Sequence, residues 1–294
     1  MGTRPVGRFD VIIVNYHAYL GLQVALESVY QWESGLVEKV IVVDNEFSTT
    51  MLDQVRGRFP NATFLPQSEN IGFSKAVNLA LDQVESEFVM LLNPDAHLKG
   101  PIFAGALAIF REHHDAAVLG PRVLDADGKV QGSARWHPTP LTALFGRTGP
   151  LTRLFPRSRY VKRDVVLDAP PNELRRVDWV SGACMLVRMS AVKDVGPLDE
   201  RFFLYWEDCD WCRRFRDCGW RVYYAPVLGD VIHECGQSSK RRPLRSLYHF
   251  HRSAFLLYLK YDNSPFKLGS ALVFMGSIIR FLVMSAFFRR NSKE

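Results

Sequence analysis

The stretch FLYWEDCDWCRRFRDCGW, Phe203 to Trp220, sets Glu207, Asp208, Asp210 and Asp217 among aromatic and arginine residues, with Cys209, Cys212 and Cys218 interleaved. Wound as a helix at ~100° per residue, it puts Asp208, Trp211, Cys212 and Phe215 on one stripe and Glu207, Asp210 and Arg214 on another. Asp210 and Arg214 have the (i, i+4) spacing of an ion pair, which the pattern leaves on the outside. Asp208 faces the aromatic stripe, where desolvation raises proton affinity and suits a general base. An Asp there also serves as an ordinary helix cap. The Cys209-x-x-Cys212 spacing admits zinc, with Cys218, His233 and Cys235 as further ligands. No second close Cys pair exists, so packed thiols are the better account.

A second pair of residues suggests a cation. Asp95 lies at the tip of an apolar strand, and His233 follows Val231-Ile232. A hard oxygen ligand and an imidazole suit a divalent ion that bridges a diphosphate, although histidines in such places also fill structural roles. No Walker lysine loop or GxGxxG follows the first strand. Metal and side chains would have to replace a glycine cradle for phosphate.

The elements that must position these groups follow from periodicity. Phe9–Val14, Lys39–Val43, Ala62–Pro66 and Glu87–Leu92 read as strands, and Leu20–Trp32, Thr49–Phe59 and Gly72–Val84 as helices. Apolar strands alternating with helices predict a mostly parallel sheet covered on both faces, with ligands at the strands' carboxyl ends. Those ends carry Asn15-Tyr16-His17, Asp44-Asn45, Asn70-Ile71-Gly72 and Asn93-Pro94-Asp95, which points to a shared site. Beyond Gly120 come a hairpin over Arg122–Val130, a long basic loop from Gln131 to Asn172, strands at Val177–Val180, Cys184–Val187 and Trp220–Ala225, and a helix over Leu244–Tyr261.

Composition bounds the rest. The chain has 294 residues, 47% of them hydrophobic, enough for a full core, and its formal charge of +6 favours an anionic partner. Nucleic acid, anionic lipid and a phosphorylated substrate all meet that criterion. The N-terminal apolar run is a strand and not a signal peptide, so the five cysteines read as cytosolic thiols. From Phe266 to Phe288 the chain is strongly apolar and long enough to span a bilayer, yet Arg280 interrupts it. An interfacial or re-entrant membrane helix is the first reading; a true span and an oligomer or core helix are the others.

In order, the motifs VIIVNYH, VVDN, ENIGFSKAVNLAL, LLNPDA, VSGACMLVRMSAV, FLYWEDCDWCRRFRDCGW and VIHECGQS resemble glycosyltransferase family 2 from about Asp10 to Gly236. The chain is similar in particular to bacterial rhamnosyltransferase-like members. That resemblance implies an inverting enzyme with a GT-A fold, an α/β Rossmann-like sheet with helices on both faces. Residues 1–240 would form the catalytic domain, with a nucleotide-sugar half at 9–120 and an acceptor and catalytic half at 121–240. Residues 241–294 would be a membrane-associating helical tail.

By position, the resemblance gives Tyr16 and Asp44 to the nucleotide base and Asn70, Gly72 and Asn78 to the nucleotide-sugar pocket. Asp95 and His233 would hold Mg or Mn, with Asn93 at the first position of the family's DxD leaving one fewer anionic ligand. Asp208 falls on the catalytic base, and Glu207 shapes the pocket or contacts the acceptor. The implied partners are a dTDP- or UDP-sugar, a glycan or polyprenyl-diphosphate-linked acceptor, the inner face of the cell membrane and a second copy of the chain, but no nucleic acid. The basic cluster Lys240, Arg241, Arg242, Arg245 and Arg252 suits such a surface.

Overall fold

The computed structural model describes residues 7–46, 48–138, 166, 170, 172–234 and 243–291. Its first half alternates as the periodicity predicts: β1 (Phe9–Asn15), α1 (Tyr19–Glu33), β2 (Val37–Asp44), α2 (Thr49–Arg58), β3 (Ala62–Pro66), α3 (Phe73–Leu81) and β4 (Phe88–Leu92). The second half adds β5 (Ala96–Leu98), α4 (Phe103–Glu112), β6 (Ala116–Gly120), β7 (Arg122–Leu124), β8 (Ala134–Arg135), β9 (Arg175–Val177), β10 (Trp179–Val180) and β11 (Cys184–Arg188). Then come α5 (Met189–Val195), α6 (Glu207–Asp217), β12 (Arg221–Tyr224), β13 (Asp230–His233), α7 (Pro243–Tyr261) and α8 (Leu268–Asn291).

Eight strands form the main sheet in the order β3-β2-β1-β4-β11-β6-β12-β9. The pairs β1/β2, β2/β3, β1/β4 and β6/β12 are parallel, while β11 runs antiparallel to β4 and β6. β1 is buried throughout: Val11 and Ile13 meet α1, α2 and α4 on one face, and Ile12 and Val14 meet α3, α5 and α6 on the other. This double covering is why its sequence is an unbroken apolar run.

Several elements depart from expectation for reasons of long range. Residues 93–120, read without any element, contain β5, α4 and β6. The start of α4 is capped from α1, where the Glu33 carboxylate accepts the N–H groups of Ile102 and, at 3.0 Å, Phe103. The hairpin at Arg122–Val130 turns at Asp125–Gly128 and closes with a bridge from Leu124 to Val130, but β7 takes its main partner, β13, in parallel. The strand read over Val177–Val180 divides at Asp178: β9 joins β12, and β10 joins β8. Most of the basic loop, with Cys235, Lys240, Arg241 and Arg242, lies outside the described residues.

The exterior ion pair expected on α6 is corrected. Arg214 does donate to Asp210 at 3.0 Å, but Asp210 is fully buried, because α7 covers it. Lys260 Nζ and Tyr261 Oη reach Asp210 Oδ1 at 2.7 and 2.8 Å. Two side chains of α7 thus hold the helix bearing Asp208 through one buried carboxylate.

Candidate active site

Asp208 and its neighbour Glu207 differ in what surrounds them. α6 begins directly after Tyr205 and Trp206, both left-handed with φ of 68° and 69°. Such backbone is strained for aromatic residues, and packing holds it here: the Trp206 ring lies 6.1 Å from Trp179 and 5.4 Å from Phe250. Asp208 is half-buried and accepts N–H bonds from Gly182 at 3.0 Å and Cys209 at 2.7 Å. Burial raises its proton affinity, while those two bonds and the Arg135 cation oppose the rise. Glu207 is buried, and its Oε2 has no hydrogen-bond partner. Burial pushes the Glu207 carboxyl well above the usual range, and the Asp208 charge adds to the effect. Burial thus raises the proton affinity of both carboxyls, but only on Asp208 do backbone N–H groups and a cation oppose the rise.

Strand register assembles the second pair. β13 lies antiparallel to β5 with His233 opposite Ala96, and Glu234 N–H donates to Asp95 O at 2.9 Å. His233 Nε2 consequently stands 3.2 Å from Asp95 Oδ1. Gln131 sets the imidazole: its Nε2 donates to His233 O at 2.7 Å, so its Oε1, 3.1 Å away, accepts the Nδ1 proton. His233 Nε2 and Asp95 Oδ1 then face one another as two donor atoms of the kind a divalent cation takes. Asn93 Nδ2 lies 3.4 Å from the same nitrogen, so this side chain too turns toward the histidine. The donor set fits a hard divalent ion whose other ligands come from a diphosphate or water. Among the described residues no group of three or more His, Cys, Asp or Glu side chains converges as a metal site. Cys184, Cys209 and Cys212 are buried free thiols.

A single turn ties the two pairs together. Asn93 N–H donates to Ala183 O at 3.0 Å, one residue from the Gly182 N–H that holds Asp208. On the other side of Asp95, a Cβ on Gly21 of α1 would meet Pro94 O at 2.6 Å, so only glycine lets this helix support the turn so closely.

The remaining predicted residues gather along the carboxyl edge of β1, β2 and β3. Asp44 is buried, with its oxygens bound by Asn15 Nδ2 and Tyr19 Oη at 2.7 Å each, and burial raises its proton affinity. Tyr16 is half-buried beside His17, 4.2 Å between rings. Asn70 Oδ1 accepts from Gly72 N at 2.9 Å, and Gly72 has φ +88° with Phe203 against it. Asn78 is engaged differently: its amide exchanges 2.9 Å bonds with both backbone groups of Leu198. It latches α3 to the segment after α5. Arg135, whose guanidinium lies 5.3 Å from the Trp179 ring, and Gln131 were not singled out from sequence. Arg135 stood among many loop arginines, and Gln131 carried no local signal.

The model of the family described as "Glycosyltransferase like family 2" matches residues 6–260. The N-acetylglucosaminyl-diphospho-decaprenol L-rhamnosyltransferase of Mycobacterium tuberculosis is 31% identical over 228 residues, which cover 74% of this chain and 73% of that protein. The low-salt glycan biosynthesis hexosyltransferase Agl10 of Haloferax volcanii is 26% identical over 275 residues, covering 92% and 78%. Among solved structures, the mannosyltransferase PcManGT of Pyrobaculum calidifontis, in complex with GDP-Man and Mn2+, superposes with a TM-score of 0.57 at 13% identity, covering 96% of this chain and 77% of that one. With its mixed, mostly parallel sheet of GT-A type and its match along most of its length, the chain belongs to glycosyltransferase family 2.

Proposed function

We propose that this glycosyltransferase moves a sugar, rhamnose from dTDP-rhamnose being the first candidate, to a lipid-linked glycan acceptor with inversion at the anomeric carbon. The observation that carries the proposal is the unequal carboxylate pair: Asp208 held by two backbone N–H groups beside a buried Glu207 whose Oε2 has no hydrogen-bond partner. Asp208 takes the proton of the acceptor hydroxyl as its oxygen attacks the anomeric carbon in line with the departing nucleoside diphosphate. Tyr16 and Asp44 contact the base end of the donor, and Asn70 and Gly72 line its sugar-diphosphate path. Asp95 and His233 would hold Mg2+ or Mn2+, which when bound neutralises charge growing on the diphosphate. Similarity to the Mycobacterium tuberculosis enzyme, whose name specifies a decaprenol-linked acceptor, supports a lipid-linked substrate and work at the inner face of the cell membrane. Similarity to a hexosyltransferase supports a hexose as the alternative sugar, and a UDP-hexose is the second donor candidate.

Asp208→Asn should lower transfer by roughly 10²–10⁴-fold, the usual worth of a positioned base, while donor affinity stays within a few fold. Transfer at the normal rate would remove Asp208 from the role. Thermal shift against dTDP-rhamnose, UDP-glucose, UDP-galactose and GDP-mannose, each with Mn2+ or Mg2+, chooses the donor and the metal.

A further inference from the structure

α8 is built inside out for a helix on a water-soluble surface. Such a helix turns apolar residues inward and polar ones outward. Here the sheltered residues are Ser270 and Val273, with Gly276, Ser277 and Arg280 partly so, whereas Leu272, Met275, Ile278, Ile279, Leu282 and Val283 are exposed, 44–64% each. At ~100° per residue these exposed positions sweep nearly half the circumference without a polar interruption. Small and hydroxyl residues at the contact between two helices, with bulky apolar residues outside, are the pattern of packing in lipid.

Length and composition alone would let Pro265–Met284 cross a membrane. The contacts say otherwise. α7 is fastened to the catalytic body: Ser253 Oγ donates to Leu204 O at 2.9 Å, Arg252 to Arg201 O at 3.0 Å, and Lys260 reaches Asp210. α8 folds back along it, with Phe274 5.1 Å from Phe255 and the Arg280 guanidinium 5.7 Å from the Phe250 ring. Asp262 pins the bend by accepting the N–H groups of Ser264 and Ser270 at 2.9 and 2.6 Å. A helix laid back along α7, which is itself fastened to the catalytic body, is placed to lie along a surface, and its one central charge is turned toward α7.

Charge chooses between lipid and a second copy of the chain. From Pro243 to Asn291 the sequence has Arg245, Arg252, Lys260, Lys267, Arg280, Arg289 and Arg290 against a single acidic residue, Asp262, which is occupied at the bend. Arg245 and Arg252 are exposed along α7. Two such hairpins face to face would repel, whereas an anionic headgroup layer would be attracted.

We propose that α8 lies in the plane of an anionic membrane, its Leu272 to Val283 face among the acyl chains and the arginines of α7 at headgroup depth. This deepens the lipid-linked acceptor reading and rests on it for its purpose. Phe250, which meets α8 through Arg280, also packs on Tyr205 and Trp206, the residues that lead into Glu207 and Asp208. The base therefore sits two helices from the lipid.

The test is co-flotation of the full chain with vesicles of phosphatidylethanolamine and phosphatidylglycerol. Wild type should float, and Leu272→Glu/Ile279→Glu should reduce recovery at least roughly tenfold. Tryptophan placed by Leu272→Trp and Leu282→Trp should be quenched equally by lipids brominated at one shallow depth, since an in-plane helix holds both at one level. In a span they would differ by ~15 Å. Absence of flotation, flotation unaffected by the glutamates, or unequal quenching overturns the proposal. So does a dimer by light scattering that the glutamates dissociate in the absence of lipid. Donor thermal shift separates the two readings: protein that floats without any shift counts against the donor assignment alone, and protein that shifts without floating counts against the membrane helix alone.

Discussion

Glu207 and Asp208 are neighbours in the chain, yet one receives two backbone N–H bonds and a nearby cation while the other is buried with an oxygen unmatched. The guanidinium of Arg135 favours the ionised form of Asp208. Removing it by Arg135→Gln raises the affinity of Asp208 for its proton, so the acid limb of kcat/KM should move to higher pH. A loss of activity that deepens as the pH falls and recovers in alkali is expected. A uniform loss at all pH values would make Arg135 a substrate contact. The order of motifs in the sequence pointed to Asp208, but what distinguishes it from Glu207 physically comes from residues 26 and 73 positions upstream, beyond any local pattern.

At the scale of elements, α6 depends on a close contact from α3. A Cβ on Gly72 would stand 2.7 Å from the Phe203 ring and 2.9 Å from Phe203 O, at φ +88°. Gly72→Ala should cost roughly 1–3 kcal/mol in urea unfolding and lower kcat, because Phe203 opens the segment that delivers Asp208. Wild-type stability would mean that the segment yields freely. Elements whose apolar period is carried by their own residues, β1 to β4 and α1 to α3, could be read in advance. The cap from Glu33 on α4, the grip of Gln131 on His233 and the covering of Asp210 by α7 could not, because each joins residues dozens of positions apart. The exterior placement of Asp210 failed for the same reason: helical spacing assigns a face but not what packs on it.

For the whole molecule, burial sets an acid limit. His137 and His251 are both pushed down to about 4, by burial first and then by Arg213 and Arg280 respectively. Their folded values lie below the ordinary ~6.5, so the unfolded chain takes up protons that the native chain refuses. Stability is complete above about 6.5 and declines toward pH 4, by at most ~1.4 kcal/mol per pH unit for each imidazole. Calorimetry at pH 7.5 and 5.5 should show a lower Tm in acid, and His251→Asn should flatten the difference. The pairing of His233 with Ala96 has its own consequence at this scale. Asp95 and His233 stand 138 positions apart, so their 3.2 Å approach exists only once β13 has paired with β5, and any probe of that approach reads long-range assembly of the sheet and not a local element.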